Sequence, residues 1–71
     1  MAKVEASMAG TVMQVLVSVG DQVEAGQDVV ILESMKMEVP LQAEQSGIVK
    51  EIRVEAGTFV SDGDVLLELE E

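Results

Sequence analysis

Apolar and polar residues alternate along much of this 71-residue chain, and most of the apolar positions are β-branched or leucine. A period of two in residues of this type predicts strands with one buried face. Six segments are predicted as strands: 4–6, 11–19, 29–32, 41–43, 48–54 and 65–69. We expect Val30, Leu32, Leu67 and Leu69 to lie in the core, and glycine-containing turns to join the strands.

The alternation changes phase inside two of these segments, between Val12 and Val15 and again between Val49 and Ile52. An extra residue in a strand moves every later side chain to the opposite face, which is what a β-bulge does. We therefore predict a bulge or a bend at both places.

The glycines show that the chain is a tandem repeat. All six fall into two triplets with the same internal spacing, so a shift of 37 residues superposes them without a gap: Gly10, Gly20, Gly26 and Gly47, Gly57, Gly63. The shift aligns residues 2–34 with residues 39–71, which indicates a duplicated supersecondary unit. Neither unit can bury its apolar face alone, so we expect one domain over residues 1–71. About four short strands per unit predict an all-β sandwich or flattened barrel with an approximate two-fold axis. A solenoid is the alternative, although two repeats are generally too few for one.

Composition excludes most classes of function. There is no His, Cys, Tyr or Trp, so the usual general bases, nucleophiles and metal ligands are missing and an independent enzyme is not expected. A net charge of −10 argues against nucleic acid and anionic membrane as partners. With no apolar run of membrane-spanning length and no signal-peptide pattern, we expect a monomer in a reducing cytoplasm.

Four residues between the repeats, Met35, Lys36, Met37 and Glu38, are the anomaly of the sequence. The strand before them must reverse to begin the second unit, so a hairpin tip is expected here, yet the corner has no Gly, Asn, Asp or Pro. Two methionines also stand where a loop is normally polar. Local rules broken without visible compensation often mark functional sites, although by propensity alone residues 33–38 also suit an ordinary helical stretch.

A lysine at an exposed tip can be acylated by a carboxylic-acid cofactor, which gives a neutral amide on a long flexible stem. Lysine is almost entirely protonated at neutral pH, so a separate enzyme would have to supply an activated acyl donor and a base.

The segment Glu33-Ser34-Met35-Lys36-Met37-Glu38 resembles the biotin attachment motif of biotin carboxyl carrier domains, which is built around Met-Lys-Met. Flanking segments are also similar to that family: Ala-Ser-Met-Ala-Gly-Thr-Val at 6–12, Val-Gly-Asp-Gln-Val at 19–23 and Ser-Gly-Ile-Val at 46–49. The resemblance covers essentially the whole chain. In size, the chain looks most like the free-standing bacterial biotin/lipoyl attachment proteins.

This resemblance implies a barrel-sandwich hybrid of two four-stranded antiparallel sheets, with Lys36 on a protruding β-turn. It implies that a biotin protein ligase transfers biotin from biotinyl-adenylate to Lys36, with Met35 and Met37 as flanking recognition residues. The bound biotin would carry carboxyl groups from a biotin carboxylase to a carboxyltransferase, so that the cofactor supplies the chemistry and the protein its position.

The chain departs from the family pattern at three positions, none of which is the acceptor lysine. Ser7 and Glu44 stand where proline is common, and Ser34 stands where alanine is usual. Equal spacing from Gly10 to Gly20 and from Gly47 to Gly57 leaves no room for the "thumb" of some acetyl-CoA carboxylase carriers.

Two alternatives stay open. A lipoyl or dual biotin/lipoyl carrier, loaded by a lipoyl ligase, uses the same fold and the same lysine, but typically shows Asp-Lys-Ala at the tip. An unmodified lipoyl-like interaction module is the second alternative.

The charged residues are expected to be ordinary solvated surface. Most acidic residues, Glu68 among them, fall on the solvent-facing phase, and Lys3, Lys50 and Arg53 are interpreted in the same way.

Overall fold

The computed structural model describes residues 2–70, and all regular secondary structure in that range is β-strand. The strands are β1 (Ala2–Glu5), β2 (Gly10–Val15), β3 (Gln22–Val23), β4 (Asp28–Ser34), β5 (Met37–Gln42), β6 (Gly47–Ile52), β7 (Phe59–Val60) and β8 (Val65–Glu70). They form two four-stranded sheets. The order β1-β8-β6-β3 is called the terminal sheet, and β5-β4-β2-β7, which contains the β4–β5 hairpin, the hairpin sheet. No helix within residues 2–70 could cross a membrane.

The repeat in the sequence becomes a two-fold relation between the sheets. A shift of one repeat converts β1, β2, β3 and β4 into β5, β6, β7 and β8, and it turns the strand order of one sheet into that of the other. The register of strand pairing obeys the same relation, because the shift converts the pair Ala2↔Leu69 into Val39↔Leu32. All ladders are antiparallel. The predicted all-β fold of two four-stranded antiparallel sheets with pseudo-two-fold symmetry is confirmed.

Both predicted bulges are present. The β2–β4 register shifts between Val12 and Gln14, and the β6–β8 register shifts between Val49 and Glu51. The predictions of strands over 11–19 and 48–54 were too long, since β2 ends at Val15 and β6 at Ile52. Beyond these points each chain segment leaves its ladder to enter a turn that binds the other repeat.

Four equivalent turns connect the strands: residues 18–21, 24–27, 55–58 and 61–64. In each, the last residue donates its N–H to the carbonyl of the first at 3.0 Å. A side-chain oxygen of that same last residue accepts the N–H of the first. The third residue is a glycine with φ between 89° and 98°, a conformation that L side chains rarely adopt. This confirms the predicted glycine turns.

The turns form backbone hydrogen bonds with the opposite repeat. Gly20 donates its N–H to the Val49 carbonyl at 2.8 Å, and Val49 donates to the Asp21 carbonyl at 2.8 Å. The equivalent bonds join Gly57 and Thr58 to Val12, also at 2.8 Å. The short strands β3 and β7 follow these hydrogen-bonded turns. Neither was predicted from the sequence, because a strand of two residues is too short to show an alternation of apolar and polar positions.

The core lies between the two sheets. Its fully buried side chains are Val12, Val23, Val29, Val30, Leu32, Val49, Leu66, Leu67 and Leu69. All four residues expected in the core are therefore confirmed. Burial of each such leucine contributes about 1.5–3 kcal/mol.

Glu68 corrects the expectation of a uniformly solvated charged surface. It is 7% exposed and accepts a 2.7 Å hydrogen bond from Nε of Arg53, with a second contact from the same guanidinium. The hydrogen bond from Arg53 holds the pKa of Glu68 below its usual range against the opposing effect of burial, and the charges of Arg53, Lys3 and Lys50 act in the same direction as the bond. Arg53 is thus a structural partner and not simply a solvated cation.

Candidate functional site

The reversal between the repeats is a two-residue hairpin turn. The last pair of the β4–β5 ladder is Ser34↔Met37, which leaves Met35 and Lys36 as the turn. Their φ values are 54° and 65°, and both are positive as a type I′ turn requires. Within residues 2–70 they are the only non-glycine residues with positive φ. Such a conformation costs an L residue about 1–2 kcal/mol, so the fold holds Lys36 in a backbone state that its side chain disfavours.

The turn presents its side chains to solvent. Met35 is 91% exposed and Met37 63%, and Lys36 is exposed between them. Among residues 2–70, no hydrogen bond or ion pair restrains the Lys36 ammonium. An amine with this access can accept an acyl group without breaking any native contact.

The base of the hairpin is anchored. One pair below the tip, Glu33 lies opposite Glu38, and the next pair joins the fully buried Leu32 to Val39. Gly10 of β2 passes so close that a Cβ there would lie 2.8 Å from the Glu33 carbonyl oxygen. The tip therefore projects from a rigid support, although the facing carboxylates Glu33 and Glu38 are an unfavourable cross-strand pair.

Lys36 lies outside the two largest surface grooves described for residues 2–70. A groove of about 520 Å³ lies between β1 and β5, where Lys3, Glu5 and Gln42 contribute to its walls. Another, of about 480 Å³, lies between residues 13–19 and 52–56. Lys36 lines neither of them. The arrangement suits a group that must visit other active sites and not one that binds substrate in its own pocket.

The sequence placed Met35, Lys36 and Met37 at an exposed hairpin tip, and the structure brings all three together there. It did not identify the positive φ values at the turn, nor the part played by Gly10. The positive φ values could have been suspected because a two-residue hairpin turn normally contains glycine and this one has none. The position of Gly10 at the start of a repeat, aligned with Gly47, was the available signal for the second.

Comparison with known proteins agrees with this geometry. Residues 2–69 match the biotin/lipoyl family, described as "Biotin-requiring enzyme". The biotin/lipoyl attachment protein of Bacillus subtilis is 59% identical over 66 residues, which cover 93% of this chain and 90% of that protein. Pyruvate carboxylase of Staphylococcus aureus is 45% identical over 65 residues, which cover 92% of this chain and 6% of that enzyme.

A solved structure shows the same fold within a larger enzyme. The urea carboxylase of Kluyveromyces lactis superposes with a TM-score of 0.91 at 33% identity, covering 97% of this chain and 6% of that protein. The match thus comprises one small part of each carboxylase and nearly all of the Bacillus attachment protein. This chain belongs to the biotin/lipoyl attachment family and is a carrier domain for biotin, not an enzyme in its own right.

Proposed function

We propose that Lys36 is the residue to which biotin is covalently attached. The observation that carries the proposal is the position of this lysine, exposed at the tip of an anchored two-residue turn between the repeats and without a hydrogen-bond or ion-pair partner among residues 2–70. When bound there, biotin supplies the carboxyl-carrying chemistry that the protein's own side chains lack.

The other two lysines are less suitable acceptors. Lys3 lies within β1, directly opposite Glu68, and Lys50 lies within β6 on the same sheet. Both are held along the outer surface of the terminal sheet, where an attached group would lie against the protein. Lys36 alone stands beyond the end of a ladder.

Attachment requires a biotin protein ligase. The neutral Nζ of Lys36 attacks the carboxyl carbon of biotinyl-adenylate, an amide bond forms, AMP leaves, and the nitrogen gives up a proton to a base. The chain has no histidine, and we assign the base and the activated donor to the ligase. What this chain contributes is an accessible amine on an anchored turn.

Met35 and Met37 are proposed as recognition residues for that ligase. Their exposed, flexible and polarisable side chains form an apolar pair on either side of the amine. Biotin is favoured over lipoate because Met-Lys-Met differs from the Asp-Lys-Ala typical of lipoyl domains. A lipoyl or dual carrier is the second candidate, favoured by the similarity to a protein named for both cofactors.

The carrier is proposed to serve a biotin carboxylase and a carboxyltransferase, as the similarity to parts of pyruvate and acyl-CoA carboxylases suggests. We also propose that it acts as a monomer in the cytoplasm, since a net charge of −10 makes copies of the chain repel one another.

The test is co-expression of the chain with a biotin protein ligase, followed by intact-mass measurement and streptavidin binding. The parent chain should gain one biotinyl group. Lys36→Arg retains the positive charge but lacks the acylable amine, so it should gain none. Lys3→Arg and Lys50→Arg are the matched controls and should be labelled like the parent. Labelling of Lys36→Arg would show that the assignment is wrong.

A further inference from the structure

The duplication allows each sheet to serve as an internal control for the other. Outward-facing positions that the repeat shift makes equivalent can be compared directly. With the hairpin-sheet residue first, these pairs include Met13 and Lys50, Gln14 and Glu51, Leu16 and Arg53, Ile31 and Glu68, Pro40 and Lys3, and Phe59 and Gln22, whereas Thr11 and the exposed Ile48 show the reverse. The outer face of the hairpin sheet is thus apolar at most positions where that of the terminal sheet is polar or charged.

In the terminal sheet, Glu68 is the centre of an ionic network. Lys3 and Glu51 lie directly opposite it on the neighbouring strands, and Arg53 donates hydrogen bonds to its carboxylate. Arg53 also lies 3.7 Å from the Glu51 carboxylate. The fold therefore accepts charged side chains at the centre of this outer face.

In the hairpin sheet, Ile31 occupies the equivalent centre. It lies opposite Pro40 and Gln14, while its chain neighbours Val30 and Leu32 are fully buried in the core, so Ile31 faces outward. Leu16 stands where Arg53 reaches Glu68 in the other sheet.

The apolar residues on this face are accessible. Leu16 is 40% exposed, Met13 41% and Phe59 68%, while Ile31 is half-buried. Since the equivalent positions carry polar or charged residues in the same fold, packing does not explain the apolar choice. A group of exposed apolar side chains on one face often marks an interaction site.

This face is continuous with the lysine. Ile31 lies three residues before Ser34, the last residue of β4, and so roughly 10 Å along the strand from the base of the turn that carries Lys36. Between the two lie the exposed carboxylates of Glu33 and Glu38, which give the apolar centre an acidic border toward the tip. A partner surface complementary to it has an apolar patch bordered by Lys or Arg.

Two residues of turn are too small to form a specific interface, which normally covers about 800 Å² per partner. An enzyme that acts on Nζ itself, only about 6 Å from the Lys36 Cα, must come into contact with the domain around the tip. An enzyme acting on a cofactor at the end of the acylated arm can remain further away.

Resting on the proposed function, we infer that the outer face of the hairpin sheet is the docking surface for the biotin protein ligase that loads Lys36, with Met13, Leu16 and Ile31 meeting an apolar patch on the ligase. The acidic border contributes to the rate of encounter, and the apolar centre to the lifetime of the complex.

The experiment exchanges the two outer faces. Leu16→Arg with Ile31→Glu copies the Arg53–Glu68 pair into the hairpin sheet without a change in net charge. The matched control, Arg53→Leu with Glu68→Ile, makes the reverse exchange in the terminal sheet. Each substituted pair already occurs at the equivalent position of this fold, and thermal unfolding followed by circular dichroism verifies that both variants are folded.

Steady-state biotinylation by a biotin protein ligase is then measured with parent and variants as substrates. For Leu16→Arg/Ile31→Glu we expect KM to rise about tenfold or more with kcat little changed, since a charged pair replaces the centre of the interface. The control should retain the KM of the parent. An unchanged KM for the first variant, or an equal rise for the control, would overturn the inference.

Two outcomes separate this inference from the proposed function. If the parent chain is not biotinylated at all, the proposed function fails. If the parent is labelled and the hairpin-sheet variant is labelled equally well but, once biotinylated, is a poor substrate for a biotin carboxylase, the face serves the carboxylase and the inference is wrong while the function stands.

Discussion

Gly10 lies where β2 passes the base of the Lys36 hairpin, and its replacement by alanine tests whether that close approach positions the tip. An alanine Cβ would stand 2.8 Å from the Glu33 carbonyl oxygen and 3.6 Å from the Ser34 Cβ. Real Cβ atoms essentially never come within 3.0 Å of such a neighbour. The atom in the way belongs to the backbone of β4, so the strand that carries the hairpin has to move.

The expected cost follows from overpacking. Forcing extra volume into a packed site typically costs about 1–3 kcal/mol, while glycine-to-alanine exchange recovers roughly 0.5–1 kcal/mol by restricting the unfolded chain. The difference is a net loss of about 0–2.5 kcal/mol, and its midpoint, about 1 kcal/mol, corresponds to a fall in Tm of roughly 4–8 °C in a domain of this size.

The repeat supplies a matched control in Gly47→Ala. Its Cβ would lie 2.9 Å from the Glu70 carbonyl oxygen and 3.2 Å from the Leu69 Cβ, so a comparable loss of stability is expected. This contact lies in the terminal sheet, away from the β4–β5 hairpin. The two variants should therefore separate an effect on stability from an effect on the tip.

Urea and thermal unfolding measure the first effect, and the initial rate of biotinylation at a temperature where both variants are folded measures the second. We expect similar losses of stability, but a labelling rate reduced about threefold or more in Gly10→Ala alone, because small displacements of a reacting group are costly. An unchanged Tm for Gly10→Ala would show that β4 yields without cost. Equal slowing of labelling in Gly47→Ala would show that the hairpin is not specifically affected.

Two further predictions concern acid stability and cofactor choice. Because Arg53 lowers the pKa of Glu68 in the fold, the stabilisation is present above the unfolded pKa and is lost as pH falls through the lower folded pKa. The free energy of unfolding of Glu68→Gln should therefore fall less steeply with acidification than that of the parent. Parallel slopes in urea titrations at a series of acidic pH values would contradict the linkage. Met35→Asp with Met37→Ala introduces a carboxylate into the contact with the ligase, and burying it unpaired costs several kcal/mol. In a competition between biotin and lipoyl ligases, with products identified by mass, biotinylation should therefore fall sharply while lipoylation persists or rises and Tm stays unchanged. A double variant that stays as good a biotin acceptor as the parent would place cofactor choice outside the tip.

The sequence was sufficient for the features that depend on local pattern. Period two located most of the strands, the phase breaks at Val12 and Val49 located both bulges, and the glycine spacing revealed the repeat. The same repeat placed Lys36 at a reversal, because the strand that ends the first unit must turn back to begin the second. Side-chain alternation and positive-φ glycines are properties of a few consecutive residues, and the sequence records them directly.

Only the tertiary structure determined the features that depend on contacts between the repeats. Strands β3 and β7 follow turns 18–21 and 55–58, and each of these turns both donates a backbone hydrogen bond to the other unit and accepts one from it. Glu68 is polar by sequence and lies on an outward phase, yet Arg53, directly after the neighbouring β6, hydrogen-bonds to it and it is almost fully buried. The left-handed conformation of Met35 and Lys36 is imposed by the ladder from Asp28–Gln42 to Ser34–Met37, which closes around them. A sequence lists local preferences, but pairing between distant segments decides which of those preferences the fold overrides.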